Sequence, residues 1–184
     1  MALTESNMLS LGTKAPDFLL LDTVTDNFVT FPIVKGQFGT VVMFICNHCP
    51  YVIYLNNDIV ALANTYKSKG IGFVAISSND AEKYPADAPD KMKIQAEQEA
   101  YPFPYLYDET QMVAKAYDAA CTPDFYVFDK NDILVYRGRF DGSRPSNDIP
   151  ITGADLKESL ERLLLGTEQV KAQYPSAGCN IKWK

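Results

Sequence analysis

Val41-Val42-Met43-Phe44-Ile45-Cys46-Asn47-His48-Cys49-Pro50 is the stretch from which the rest of this chain can be read. Its first five residues form a continuous apolar run, rich in β-branched and aromatic side chains. Such a run suits a strand buried on both faces. Beyond Pro50, apolar residues fall at Val52, Leu55, Ile59, Leu62 and Tyr66, one stripe of a helix. Asn56, Asn57, Asn64 and Lys67 lie off that stripe, and Gly70 ends it. Ile71–Ile76 is a second buried strand, so strand, helix and strand are complete by residue 76. Two cysteines separated by two residues sit at the first junction. They form a dithiol that can close as a disulfide. A sulfur at a helix N-terminus faces backbone N–H groups and the positive end of the helix dipole. Both favour the thiolate, the reactive form of cysteine.

Working outward from that unit, residues 17–31 read as a hairpin with its turn at Asp22–Asn27. On the other side, Ser77–Pro89 is polar, holds two prolines and reads as a loop. Lys91–Ala100 reads as a polar helix, and Asp108 as the cap of a short helix carrying Met112, Val113, Ala116 and Tyr117. Phe125–Phe128 and Ile133–Tyr136 flank a turn at Asp129–Asp132, a second hairpin. Thr152-Gly153-Ala154-Asp155 resembles a capping box, opening a helix with Leu156, Leu160, Leu163 and Leu164 on one side. Gly166 closes it, and residues 167–184 read as a tail. The expectation is one α/β domain over residues 1–184, a central mixed sheet with helices on both faces and a right-handed βαβ crossover.

Composition narrows the function classes. A net charge of −6 and a pI near 4.8 argue against nucleic acid or an anionic membrane as partner. No apolar run approaches the roughly 20 residues that span a bilayer. The opening Met1–Leu9 has an acid, no basic residue and no long apolar core, so a secretory signal is not read there. The cytoplasm is the expected compartment. Four cysteines in 184 residues do not make a disulfide-stapled scaffold. In a reducing space such residues are catalytic, metal-binding or inert.

The element order, with CxxC at the head of the first long helix and Thr122-Pro123 before a late strand, resembles the thioredoxin superfamily. Leu11-Gly12-Thr13-Lys14-Ala15-Pro16-Asp17-Phe18 looks like the opening of its redoxin, or AhpC/TSA, branch. CNHCPYV together with the terminal GCNIKW looks like the peroxiredoxin-like group that carries a thioredoxin-type CxxC. The resemblance implies a thioredoxin-like fold, a redox-active disulfide and oxidoreductase or antioxidant activity without organic cofactor or metal. Two positions depart from the pattern. Peroxiredoxins carry Pro-x-x-x-Thr-x-x-Cys, whereas Gly39 and Met43 stand at those places before Cys46. Thioredoxins often keep a buried acid six residues before the first cysteine, where this chain has Thr40.

Cys46 is the expected nucleophile and Cys49, one turn further in, the thiol that resolves the mixed disulfide. His48 is the chain's only histidine. It stands where the CPHC motif of strongly oxidising relatives has its histidine, and an imidazolium there would stabilise the Cys46 thiolate. The resemblance makes Thr122-Pro123 a cis peptide facing the dithiol, with backbone for an extended substrate. Cys121 is either a small core residue or a third thiol. Cys179 is either an idle tail cysteine or a mobile thiol that resolves a sulfenic acid on Cys46. Arg137 or Arg139 stands for the arginine with which peroxiredoxins hold thiolate and peroxide. A zinc site built on Cys46, His48 and Cys49 lacks the second CxxC or His pair of a structural site. Three readings follow. The first is a thiol–disulfide oxidoreductase, acting on protein or small-molecule disulfides with a thioredoxin-type or glutathione-type electron donor. The second is a thiol peroxidase, with Cys46 attacking peroxide and Cys49 or Cys179 resolving. The third is a non-catalytic binding protein of the same fold.

Overall fold

The computed structural model describes residues 3–184. In chain order it runs β1 (Leu3–Glu5), β2 (Leu19–Asp22), β3 (Phe28–Thr30), α1 (Phe31–Val34), β4 (Gly39–Phe44), α2 (Pro50–Lys67) and β5 (Ile71–Ser77). A 3₁₀ turn at Pro85–Asp87 precedes α3 (Pro89–Gln98), β6 (Tyr105–Tyr107), α4 (Met112–Ala116) and β7 (Cys121–Thr122). The chain continues with β8 (Asp124–Asp129), β9 (Leu134–Gly138), α5 (Ala154–Leu165) and β10 (Ala177–Asn180).

Seven strands form the main sheet in the order β3-β2-β6-β5-β4-β8-β9. The three central strands β4, β5 and β6 are parallel, and both flanks are antiparallel, so the sheet is mixed as expected. Every residue of β4 is buried, because helices cover both faces. Val41 and Met43 pack with the stripe Val52, Leu55, Ile59, Leu62 and Tyr66 of α2 and with Leu156 and Leu160 of α5. Val42 and Phe44 point the other way, against Phe31 and Val34 of α1 and Val113 and Ala114 of α4. Each fully buried aliphatic side chain contributes roughly 1.5–3 kcal/mol over leaving it in water. The α2 stripe therefore fixes the helix to the sheet, and with it the junction that carries the cysteines.

Several local expectations change. Asn56, off the apolar stripe, is nonetheless buried and accepts the Tyr101 hydroxyl at 2.7 Å. The capping box at Thr152–Asp155 does not form: Asp155 turns to Arg139 at 2.5 Å. The Asp141 carboxylate instead takes the N–H groups of Thr152 and Gly153, each at 2.6 Å. Asp108 does cap α4, accepting the Ala114 N–H at 2.9 Å, although Gln111 occupies the formal cap position.

The C-terminal segment holds a strand. β10 is the middle strand of a small antiparallel sheet, β1-β10-β7, with Cys179 opposite both Leu3 and Thr122. Gly178 makes that approach possible: a Cβ there would stand 2.0 Å from the Thr122 carbonyl oxygen. No helix among the described residues is long and apolar enough to cross a membrane.

Candidate active site

β4 ends at Phe44, and α2 begins at Pro50, whose missing N–H suits the first helical position. Cys49 is therefore the N-cap residue itself, and Cys46 lies in the bend ahead of it. The strand end thus belongs to Cys46 and the helix start to Cys49. Both are buried, and none of the four cysteines is in a disulfide.

The Thr122–Pro123 peptide is cis, as the resemblance implied. Thr122 reaches both sulfurs: its Oγ1 is 3.5 Å from Cys46 Sγ, and its carbonyl oxygen is 3.2 Å from Cys49 Sγ. The sheet supplies this juxtaposition. β8 pairs with β4 along its length, with Phe44 opposite Asp124, so the residues preceding Asp124 arrive beside those following Phe44.

The two thiols share one negative charge, and it favours Cys49. The Cys46 thiol donates to Cys49, and donors from Cys179, Thr122 and the Val52 amide add to it, bringing the Cys49 pKa down to about 5 against the cost of burial. The Thr122 carbonyl works the other way, since it accepts only from a protonated Cys49. It is one contact against four donors. Cys46 is pushed up by the proton it gives Cys49, by burial and by the Asp87 carboxylate.

Asp87 lies in the segment whose sequence reads as a loop, yet it is completely buried. Its Oδ1 accepts the N–H of Asn47 at 2.8 Å and of His48 at 3.3 Å, the two residues between the cysteines. Its Oδ2 meets His48 Nδ1 at 2.6 Å and Asn79 Nδ2 at 2.8 Å. His48 stacks on Tyr84, rings 5.5 Å apart and 7° from parallel. Its Nε2 is buried without a hydrogen-bond partner. Tyr105 reaches the same bend, its hydroxyl 3.1 Å from Asn47 Oδ1. Nothing in the local pattern of Ala86-Asp87-Ala88 marked this aspartate. The available signal was an acid between two prolines, Pro85 and Pro89, beside an otherwise alanine-rich turn.

The C-terminal segment closes over the same site. The Lys182 N–H donates to Asn79 Oδ1 at 2.8 Å, and the Gln111 side chain donates to the Ser78 and Lys182 carbonyls. Asn79 thus links the C-terminus to Asp87. Cys179 is in side-chain contact with Cys49; burial first, and then that contact, push its pKa up to about 12. Cys121, its sulfur 3.9 Å from the Ser176 carbonyl, is fully buried, and burial with the Asp124 carboxylate pushes its pKa far up. Thr40, at the position where thioredoxins keep an acid, is buried and accepts the Gly36 N–H at 3.3 Å. A different buried acid, Asp124, directly follows Pro123; desolvation pushes its pKa up to about 7.

A groove of about 360 Å³, its open mouth included, passes Pro123 between Tyr51, Tyr54, Arg139, Arg144 and Ser176. Arg139 pairs with Asp155 and lies over the Tyr174 ring at 4.4 Å. Arg137 donates to the Leu9 carbonyl at 2.9 Å and to Gln173 at 2.7 Å. The hydrogen bonds of both arginines thus run to partners other than a sulfur. Cys46, His48 and Asp87 each offer a metal-ligand atom within 4.8 Å of the others. Asp87 is a poor ligand as it stands, since its two oxygens already accept four hydrogen bonds.

A mixed sheet with helices on both faces, a CxxC between strand and helix and a cis proline against it define a thioredoxin-like fold. The sequence matches the Redoxin family over residues 10–156, and the chain belongs to that family. Two solved structures are similar over almost their whole length. One is an uncharacterized conserved protein from Geobacillus kaustophilus, 56% identical, with a TM-score of 0.99, covering 100% of this chain and 97% of that one. The other is a hypothetical protein from Sinorhizobium meliloti 1021, 42% identical, with a TM-score of 0.96 and 98% of each chain covered. A thiol:disulfide interchange protein of the thioredoxin family from Chlorobium tepidum TLS shares the fold at 18% identity, with a TM-score of 0.63, covering 84% of this chain and 98% of that one. Comparison with curated proteins gave no match.

Proposed function

We propose that this protein is a thiol–disulfide oxidoreductase working through Cys46 and Cys49. The observation that carries the reading is the pair of sulfurs in hydrogen-bond contact beside Thr122, with the donors around Cys49 pulling its pKa down. As a substrate disulfide settles against Pro123, Cys46 passes its proton to the Cys49 thiolate and attacks one substrate sulfur. The S–S bond of the substrate breaks, and its second sulfur leaves as a thiolate that takes the proton back from Cys49. Cys49 then attacks Cys46, expels the remaining substrate sulfur and closes the Cys46–Cys49 disulfide. Two electrons pass from the dithiol to the substrate. In this scheme the leaving substrate thiolate removes the Cys49 proton, a task for which Thr40 offers no carboxylate. The partners that fit are protein or small-molecule disulfides, with a thioredoxin-type or glutathione-type donor to restore the dithiol.

The peroxidase reading is less well supported. It needs an arginine on the sulfur, while Arg137 and Arg139 are bonded elsewhere. Insulin reduction measured beside hydroperoxide consumption tests the assignment. Exchange without peroxide turnover is expected. Peroxide turnover alone would favour a peroxidase, and neither activity a binding protein.

A further inference from the structure

Cys49 stands between two sulfurs. Cys46 lies on one side of it and Cys179, on β10, on the other. Cys179 is directly opposite Thr122 in the β10–β7 register, and the Thr122 carbonyl touches Cys49 Sγ at 3.2 Å. All three cysteines belong to one buried cluster, with Cys46 and Cys179 each 2% exposed and Cys49 fully buried. The placement of Cys179 is built into the strand. Gly178 lets β10 come against the Thr122 carbonyl, and Leu3 pairs with Cys179 from the far side. Past β10, the Ile181 N–H donates to the Ala120 carbonyl at 3.0 Å and the Lys182 N–H to Asn79. A thiol on a strand held at both edges differs from one on a swinging tail: it can serve only the sulfur it already faces, which is Cys49 rather than Cys46.

We propose that Cys179 is a third redox-active thiol, which takes Cys49 over from Cys46 to form an alternative, internal Cys49–Cys179 disulfide. The inference rests on the exchange reading above. Once Cys46–Cys49 has closed, the Cys179 sulfur attacks Cys49, the Cys46–Cys49 bond breaks, and the proton released by Cys179 is taken up by the departing Cys46 sulfur. One S–S bond replaces another, so no outside oxidant or reductant enters. The oxidising equivalents move to the buried side of the site, and Cys46 returns as a thiol beside Thr122. The same contact explains why the Cys179 thiol helps hold the Cys49 thiolate in the dithiol state.

The test is a disulfide map of the full chain, without substrate. Cys46→Ser protein is oxidised with diamide, alkylated, and digested for mass spectrometry. The expected result is loss of two of its three thiols and a peptide linking Cys49 to Cys179. Cys46→Ser combined with Cys179→Ser is expected to keep both of its thiols. Retention of three thiols by Cys46→Ser, or a link from Cys49 to Cys121, would overturn the proposal. The unmutated protein gives a second readout that does not depend on a variant folding. After one disulfide has formed, rapid alkylation should label Cys46 in one fraction of molecules and Cys179 in the rest. Label on Cys179 in every molecule would overturn it. Failure of the underlying exchange reading shows separately, as absence of insulin reduction by the unmutated protein.

Discussion

His48 Nδ1 lies 2.6 Å from Asp87 Oδ2, across 39 residues of sequence. The contact joins two groups of opposite effect on the nearby sulfur. The Asp87 carboxylate opposes a thiolate at Cys46, whereas the His48 ring, with a nitrogen within 4.8 Å of the sulfur, would favour one if it carried a proton. Replacing each separately should therefore move the Cys46 thiol in opposite directions. His48→Ala should raise its pKa and lower the reduction potential of the couple, because a protonated ring within 4.8 Å of the Cys46 sulfur stabilises only the charged, reduced state. Asp87→Asn should lower the pKa and raise the potential. One pKa unit corresponds to about 1.4 kcal/mol, or roughly 30 mV for two electrons. Thiolate absorbance titrations of both variants check the signs. Shifts in the same direction would show that the pair only shapes the bend.

The roles of the two cysteines separate by trapping. Cys49→Ser should accumulate mixed disulfides with substrate, because attack by Cys46 survives and resolution does not. It should form them slowly, since the variant also loses the proton acceptor for Cys46. Cys46→Ser should abolish exchange. Equal trapping by both variants would contradict the assigned order.

Asp124 gives a pH signature in stability. Its folded pKa is pushed up to about 7, above the roughly 3.9 of an unfolded aspartate. The folded state therefore prefers the protonated carboxyl. This contribution is complete below about pH 4 and is lost as pH rises towards 7. The full difference is on the order of 4 kcal/mol at about 1.4 kcal/mol per unit. Asp124→Asn should flatten that part of the curve, read by urea unfolding at several pH values. An unchanged slope would remove Asp124 as its cause.

Gly178→Ala places a methyl carbon 2.0 Å from a backbone oxygen. Neither strand can yield without breaking the β10–β7 pairing. The expected cost is roughly 1–3 kcal/mol, as for other overpacked sites. Cys49 should also titrate higher, because Cys179 is drawn away. Thermal unfolding and thiol titration of the same sample check both; a stable variant with an unmoved Cys49 would contradict this account of β10.

The fold was largely legible because its determinants are local and periodic. The apolar run at Val41–Ile45, the stripe from Val52 to Tyr66 and the turn at Asp129–Asp132 each report their own element. Tyr105–Tyr107 was harder. This three-residue strand lies between β5 and β2, and its length gives no readable alternation. The site divides in the same way. Cys46, Cys49, Thr122 and Pro123 are marked by spacing and resemblance. Asp87 and the placement of Cys179 depend on contacts between distant segments, and no periodicity encodes those. The helix-end effect falls on Cys49, the N-cap residue, because α2 begins at Pro50.

The central claim is that this chain cycles one disulfide that contains Cys49. The direct measurement equilibrates the intact protein in dithiothreitol and glutathione redox buffers and counts its thiols by the mass added on alkylation. The account predicts one two-electron transition, from four thiols to two, with a midpoint between about −270 and −120 mV, the range of related couples. It also predicts that the transition vanishes in Cys49→Ser. Four thiols at every potential, or an unchanged transition in Cys49→Ser, would contradict it.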